Sequence, residues 1–157
     1  MRVSVQEADF DVGAETEALA AGRPEVGAVA SFVGYVRADK PAGESAEDQA
    51  VSAMTLEHYP GMTEKSLEAI VAEAESRWSL LGVRVIHRFG RLVPGDRIVF
   101  VGVAGSHRGE AFAACEFIMD YLKTRAPFWK KEDTPEGGRW VDAREADDAA
   151  AEKWGQA

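Results

Sequence analysis

The chain has 157 residues, of which 46% are hydrophobic and 29% charged, as expected for one globular domain over residues 1–157. Its formal net charge of −9 disfavours general nucleic-acid binding, because phosphate backbones attract basic surfaces. The only cysteine, Cys115, excludes an intrachain disulfide. We find no run of about 18 apolar residues and no apolar core of a signal peptide near the first residue, so we expect a cytoplasmic protein.

The first half of the chain predicts strands alternating with helices. Residues 2–5, 27–36 and 51–59 are rich in β-branched and small apolar residues and predict strands, and a short helix is expected over 15–21. The acidic stretch 38–50 predicts a flexible surface loop. Apolar residues then recur at helical spacing from Leu67 to Trp78, with Thr63 as the predicted N-cap.

The second half continues the same alternation. Residues 83–89 and 98–103 predict a hairpin around the turn Pro94-Gly95-Asp96. A third helix is expected over 109–125, ended by Pro127, followed by two short strands and a loose tail over 146–157 that can form a weak helix. Because strand pairs alternate with helices, we predict an α+β fold with a mixed, largely antiparallel sheet and three main helices.

Basic residues are concentrated in the second half. Residues 1–83 carry 6 basic and 15 acidic residues, whereas residues 84–144 carry 11 basic and 8 acidic residues. A locally basic region in an acidic protein is typical of a small anionic ligand. His107 and Arg108 precede the third helix, where the helix dipole favours an anion, so they predict an anion site; an exposed basic pair in a loop is the alternative.

The segment 121–132, YLKTRAPFWKKE, places Lys123 and Lys130 among other cations and two aromatic residues. Crowded cations lower the pKa of a lysine, and such a lysine can transfer protons. The alternative is a solvated helix end, where cations are favoured. This alternative accounts well for a lysine at position 123 but less well for one at position 130. Cys115 lies on the apolar stripe of the third helix and is predicted to be a core residue. The spacing of the three histidines predicts no metal site.

Six blocks of the sequence resemble the large, catalytic subunit family of molybdopterin synthase. They are GYVR at 34–37, LEHYPGM at 56–62, HRFG at 87–90 with PGD at 94–96, HR at 107–108, DYLKTRAPFWKKE at 120–132 and RWVDAR at 139–144. The resemblance extends in order from about residue 26 to residue 144. It implies an α/β hammerhead-type fold and a role as a sulfurtransferase of molybdenum cofactor biosynthesis.

The resemblance implies the partners and the reaction as well. A small ubiquitin-like carrier would bring sulfur as a C-terminal thiocarboxylate, and two catalytic subunits would form a homodimer within a heterotetramer. The small-molecule substrate would be cyclic pyranopterin monophosphate (precursor Z), which receives the two dithiolene sulfurs. The reaction would need no metal and no cofactor.

The resemblance also implies the roles of individual residues. Lys123 and Lys130 match the catalytic lysines. Four further residues match positions that bind the substrate, namely Arg37, His107, Arg108 and Arg144. Three alternatives stay open: a different sulfur-transfer or phosphoanion-handling enzyme, a non-catalytic anion-binding scaffold subunit, and a nucleic-acid-binding module, which the net charge disfavours.

Overall fold

The computed structural model describes residues 2–38, 53–134, 137–141 and 145–155, with side chains described over 2–38, 53–131 and 148–155. The strands are β1 (Val3–Gln6), β2 (Ala28–Tyr35), β3 (Ala53–His58), β4 (Leu80–Arg88), β5 (Gly90–Leu92), β6 (Arg97–Gly105), β7 (Phe128–Thr134) and β8 (Gly137–Val141). The helices are α1 (Val12–Ala20), α2 (Met62–Arg77), α3 (Arg108–Arg125) and α4 (Glu145–Gly155). The expected loop over 38–50 lies outside the described residues apart from Ala38.

The strands form two four-stranded sheets. Sheet A has the order β1-β4-β6-β2, and sheet B has the order β5-β3-β7-β8. Only β1 and β4 pair in parallel among the described strands; the other pairs are antiparallel. The predicted α+β class with mixed, largely antiparallel pairing is therefore confirmed, whereas the division into two sheets was not predicted.

The predicted hairpin is confirmed, and it contains an additional strand. Strands β4 and β6 pair with His87 opposite Val99. Between them, Gly90 at φ +91° lets the chain leave sheet A. Strand β5 then pairs with β3 in sheet B, where Leu92 lies opposite Met54. Three residues are too few to show an alternating pattern, so β5 could not be predicted from the sequence.

Helices α2 and α3 cover sheet A and enclose the main core. The fully buried side chains of this core include Leu67 and Val71 on α2, Phe117 and Ile118 on α3, and Val101 on β6. Burying such side chains contributes about 1.5–3 kcal/mol each. The helical periodicity around Leu67 therefore marks the face that packs on the sheet.

Thr63 is not the N-cap of α2. The helix begins at Met62, after Gly61 at φ +87°, a conformation that favours glycine. Thr63 instead lies in the first turn, fully buried, and its hydroxyl donates to the Tyr59 carbonyl at 2.8 Å. A threonine hydroxyl can accept from a backbone N–H as an N-cap, or donate to the carbonyl four residues earlier from within the helix, so the residue type alone could not distinguish the two positions.

The C-terminal tail is helical, but it is not loose. The Trp154 indole N–H of α4 donates to the Asp120 carboxylate of α3 at 2.6 Å, and its carbonyl accepts from the Arg77 guanidinium at 3.0 Å. Its ring packs edge-on against Trp78 and Phe117, with centroids 5.7 and 5.5 Å away. Trp154 thus anchors this polar helix to the rest of the protein. The polar composition of the tail gave no indication of such an anchor.

Cys115 is a core residue, as predicted. It is 7% exposed, and its thiol lies 3.7 Å from the Val101 carbonyl. Burial raises the pKa of the thiol to about 11, so the reactive thiolate is scarce at neutral pH. We expect no labelling by a thiol reagent at pH 8 in the folded protein and full labelling in denaturant. Rapid labelling of the folded protein would contradict this burial.

Candidate active site

Helix α3 connects the two ends of sheet A. It follows directly after β6, which ends at Gly105, and returns over the sheet to end at Arg125. A helix rises about 1.5 Å per residue, so Arg108 and Lys123 lie about 22 Å apart along its axis. The His107–Arg108 pair and Lys123 therefore lie at opposite ends of sheet A.

Arg37 and His87 lie at the same end of sheet A as Lys123. The β6 residue Val99 is paired with His87 on one side and with Gly34 on the other. The chain continues from Gly34 to Val36, whose backbone exchanges hydrogen bonds of 2.9 Å with the turn at Gly95 and Asp96. Exposed Arg37 comes next, so this turn determines where its backbone lies.

Lys130 lies on the inner face of sheet B. In the ladder between β3 and β7, His58 is opposite Phe128 and Leu56 is opposite Lys130. Directly opposed residues share a face, and Leu56 is 2% exposed, so this face points into the protein. Lys130 is accordingly half-buried.

His87 lies within electrostatic reach of both lysines. Its ring is 5% exposed and stacks on Phe128, with centroids 3.7 Å apart and planes 18° apart. Burial, with smaller contributions from the charges of Lys123, Lys130 and His58, lowers the pKa of His87 to about 3. Both lysines are therefore close enough to act on one imidazole.

The tautomer of His87 follows from its hydrogen bond. The Nδ1 atom lies 2.8 Å from the Arg88 carbonyl, which can only accept, so Nδ1 carries the proton. A neutral ring then has its lone pair on Nε2. We call the two lysines and this uncharged imidazole the lysine cluster.

The structure separates the remaining predicted residues. His107 and Arg108 are both exposed at the opposite end of α3 and do not approach Lys123 of the same chain. Arg144 lies outside the described residues. Of the six predicted residues, Lys123, Lys130 and Arg37 therefore lie towards one end of sheet A.

The other cations of the 121–132 segment point elsewhere. Arg125 lies over the Tyr121 ring at 3.7 Å and pairs with Glu73 of α2 at 3.3 Å. Lys131 is one residue after Lys130 and therefore lies on the outer face of sheet B. Strand alternation thus gives a structural reason for assigning a role to Lys130 and none to Lys131.

The two aromatic residues of this segment also divide between the faces. Phe128 packs inward against His87, whereas Trp129 is 40% exposed and contacts Tyr59 on the outer face, with centroids 4.5 Å apart. Trp129 is therefore not a core residue, and Phe128 is half-buried beside the lysines.

Sequence reasoning assigned no role to His58 or His87, although both lie in blocks that carry the resemblance. His58 approaches Phe128 from the other strand, with centroids 6.1 Å apart. Its Nδ1 lies 3.1 Å from the Thr63 hydroxyl, which already donates to Tyr59, so His58 donates this bond. In the sequence, each of these histidines lies one or two residues before an aromatic residue, Tyr59 or Phe89. That pattern was the only indication of their shared surroundings.

Two searches of the described residues were negative. Within ranges 2–38, 53–134, 137–141 and 145–155, no group of three His, Cys, Asp or Glu side chains is arranged to hold a metal ion. Over the same ranges, no helix is long and apolar enough to span a membrane.

The fold and the lysine cluster define an α+β enzyme subunit with a cationic site. A family model described as MoaE protein matches residues 5–125. A molybdopterin synthase catalytic subunit from Ralstonia nicotianae is 61% identical over 98% of this chain and 84% of its own length. A solved MoaE protein from Burkholderia ambifaria has a TM-score of 0.81 and 57% identity, covering 98% of this chain and 97% of its own.

The likeness extends to more distant structures. A molybdopterin synthase chain from Staphylococcus aureus has a TM-score of 0.77 at 26% identity, covering 88% of this chain and 96% of its own. The chain belongs to the MoaE family. It is a sulfur-transferring enzyme subunit of molybdenum cofactor biosynthesis.

The buried histidine predicts a pH dependence of stability. The pKa of His87 falls from 6.5 to about 3 on folding, so between these values the unfolded state binds a proton that the folded state does not. The free energy of unfolding is therefore unaffected by this titration above pH 6.5, and it decreases as the pH falls from 6.5 towards 3. We expect His87→Phe to remove up to about 1.4 kcal/mol per pH unit of the slope between pH 6 and 4. Urea unfolding at several pH values measures it, and parallel curves for both proteins would contradict it.

Proposed function

We propose that this chain transfers sulfur from the C-terminal thiocarboxylate of a small ubiquitin-like carrier to precursor Z in the cytoplasm, forming the dithiolene of molybdopterin. The observation that carries the proposal is the convergence of Lys123 and Lys130 on neutral His87. Two cations beside a buried, uncharged ring suit an anionic sulfur donor and an anionic substrate.

The proposed chemistry has two stages. The thiocarboxylate sulfur attacks a substrate carbon, so that a carbon–sulfur bond forms while a carbon–oxygen bond of that carbon breaks. The oxygen leaves as water or stays with the phosphate, and the carrier is held as a thioester. Water then attacks the acyl carbon, the acyl carbon–sulfur bond breaks, and the carrier leaves as a carboxylate while the sulfur stays on the substrate. A second carrier repeats both stages at the neighbouring carbon.

Lys123 is placed to transfer protons and to stabilise the oxyanion that forms during thioester hydrolysis. Lys130, from the inner face of sheet B, holds the carrier's terminal carboxyl group or assists the same transfer. Arg37, at the same end of sheet A, binds an anionic group of the substrate, and Arg144 is proposed to bind it as well.

We propose further that a complete site combines two copies of the chain. His107 and Arg108 are proposed to bind the substrate phosphate, but the length of α3 holds them about 22 Å from Lys123 of their own chain. In a two-fold homodimer, the start of α3 in one copy can meet the end of α3 in the other. Each site would then combine the lysines of one protomer with the His-Arg pair of its partner.

A conversion assay tests the proposal. The purified chain is mixed with precursor Z and a thiocarboxylated carrier, and the product is oxidised to its fluorescent derivative. We expect product that depends on the chain and on the thiocarboxylate. Tight carrier binding without product would instead support the scaffold alternative. Sulfur transfer to another acceptor alone would support a different sulfurtransferase.

A further inference from the structure

Among the described residues, His87 is the only buried histidine, and the proposed reaction gives it no role. It belongs to sheet A, while the ring it stacks on, Phe128, belongs to sheet B. This contact therefore joins the two sheets beside the lysine cluster. Movement at this contact would change how sheet B lies against the end of α3.

Strand geometry connects this contact to Lys130. Phe128 and Lys130 are two residues apart on β7 and share its inner face, with α-carbons about 6.6 Å apart. The position of the Phe128 ring therefore restricts where the Lys130 side chain begins. Lys123, on α3, acts electrostatically on the same imidazole, so both lysines lie near His87.

The neutrality of His87 suits this place. The charged groups that face it are Lys123 from α3 and Lys130 from β7, and His58 approaches it from β3. The neighbouring Arg88 on its own strand points its guanidinium to the carbonyls of Glu7 and Arg97 instead. An uncharged ring can pack between two lysines without adding a third positive charge.

We propose that His87 is a positioning residue for the sulfur-transfer reaction: its neutral ring is the surface on which Phe128 stacks, and this stacking holds Lys130 opposite Lys123. The expected effect on kcat rests on the proposed function. The stacking of Phe128 on His87 and the position of Lys130 do not depend on that function. The ring, and not its nitrogen atoms, carries the role.

Three variants separate this role from general stability. His87→Phe keeps an aromatic ring and loses the nitrogens, whereas His87→Leu keeps an apolar side chain and loses the ring. The matched control is Ile86→Ala, because Ile86 precedes His87 on β4, is 1% exposed and packs in a different cluster with Phe10 and Phe100.

We expect His87→Leu to lower kcat at least about tenfold, with the KM for carrier and precursor Z changed less than about twofold, since small misplacements of reacting groups are costly. His87→Phe should keep kcat within about threefold of the unsubstituted protein, and Ile86→Ala should keep it unchanged per folded molecule. An unaffected His87→Leu, a His87→Phe as slow as His87→Leu, or an equal loss in Ile86→Ala would overturn the proposal.

A second readout does not require turnover. The side-chain NMR resonances of Lys130 and Phe128 should shift in His87→Leu and stay close to their original positions in His87→Phe and Ile86→Ala. Resonances that do not move in His87→Leu would refute the positioning role even if no product forms. Absence of product in the unsubstituted protein, with shifted resonances in His87→Leu, would refute only the proposed function.

Discussion

Replacing Lys123 with alanine is expected to lower the kcat of dithiolene formation at least about 100-fold, because proton transfer and oxyanion stabilisation by one positioned group each contribute on this scale. The melting temperature should change little, since Lys123 is exposed in the last turn of α3. Steady-state conversion of precursor Z and a thermal melt of the same preparation measure the two quantities.

Lys65→Ala is the matched control for this substitution. Lys65 is also an exposed helical lysine, but it lies in the first turns of α2. Its removal should leave kcat unchanged, so any loss specific to Lys123 is not caused by the change in net charge. Normal turnover in a folded Lys123→Ala protein would show that the catalytic lysine has been misassigned.

Mixing two inactive variants is expected to restore activity. A Lys123→Ala homodimer lacks the catalytic lysine in both sites, and an Arg108→Ala homodimer lacks the phosphate contact in both. If each site combines the two ends of α3 from different protomers, a mixed dimer has one intact site and one doubly altered site. Random mixing makes half of the dimers mixed, so about a quarter of the original activity should return.

The control for this experiment mixes Lys123→Ala with Lys130→Ala. Both lysines act on His87 of their own chain, so they belong to the same half of the site. No mixed dimer then contains an intact site, and activity should stay at the level of the separate variants. Recovery in this mixture, or none in the Lys123→Ala and Arg108→Ala mixture, would contradict the two-copy site. Co-expression with two affinity tags gives purified mixed dimers for both measurements.

Much of the local structure could be predicted from the sequence. The apolar spacing from Leu67 to Trp78 predicted α2, and the stripe through Cys115 predicted the buried face of α3. The pairing of β4 with β6 followed from the turn at Pro94-Gly95-Asp96. These features depend on neighbours a few residues apart, so their pattern is visible in the chain itself.

The features that could not be predicted from the sequence, strand β5 and the anchoring of helix α4, depend on contacts with distant residues. Strand β5 is too short to alternate and exists because Leu92 pairs with Met54. Helix α4 is anchored by Trp154 at Asp120, 34 residues away in sequence. In both cases the local residues allow several conformations, and a partner far along the chain selects one.

By itself, the sequence determined the family, the fold class and the residue types available for the chemistry, because motifs and periodicity are local properties. Only the tertiary structure decided which of those residues can work together. It brought Lys123 and Lys130 to His87 through the contact between two sheets, and it turned Lys131 to the other face of β7. It also separated His107 and Arg108 from the lysines by the length of α3. The reason is physical: the rigid rise of a helix and the pairing of strands set distances between residues that their order in the chain does not specify.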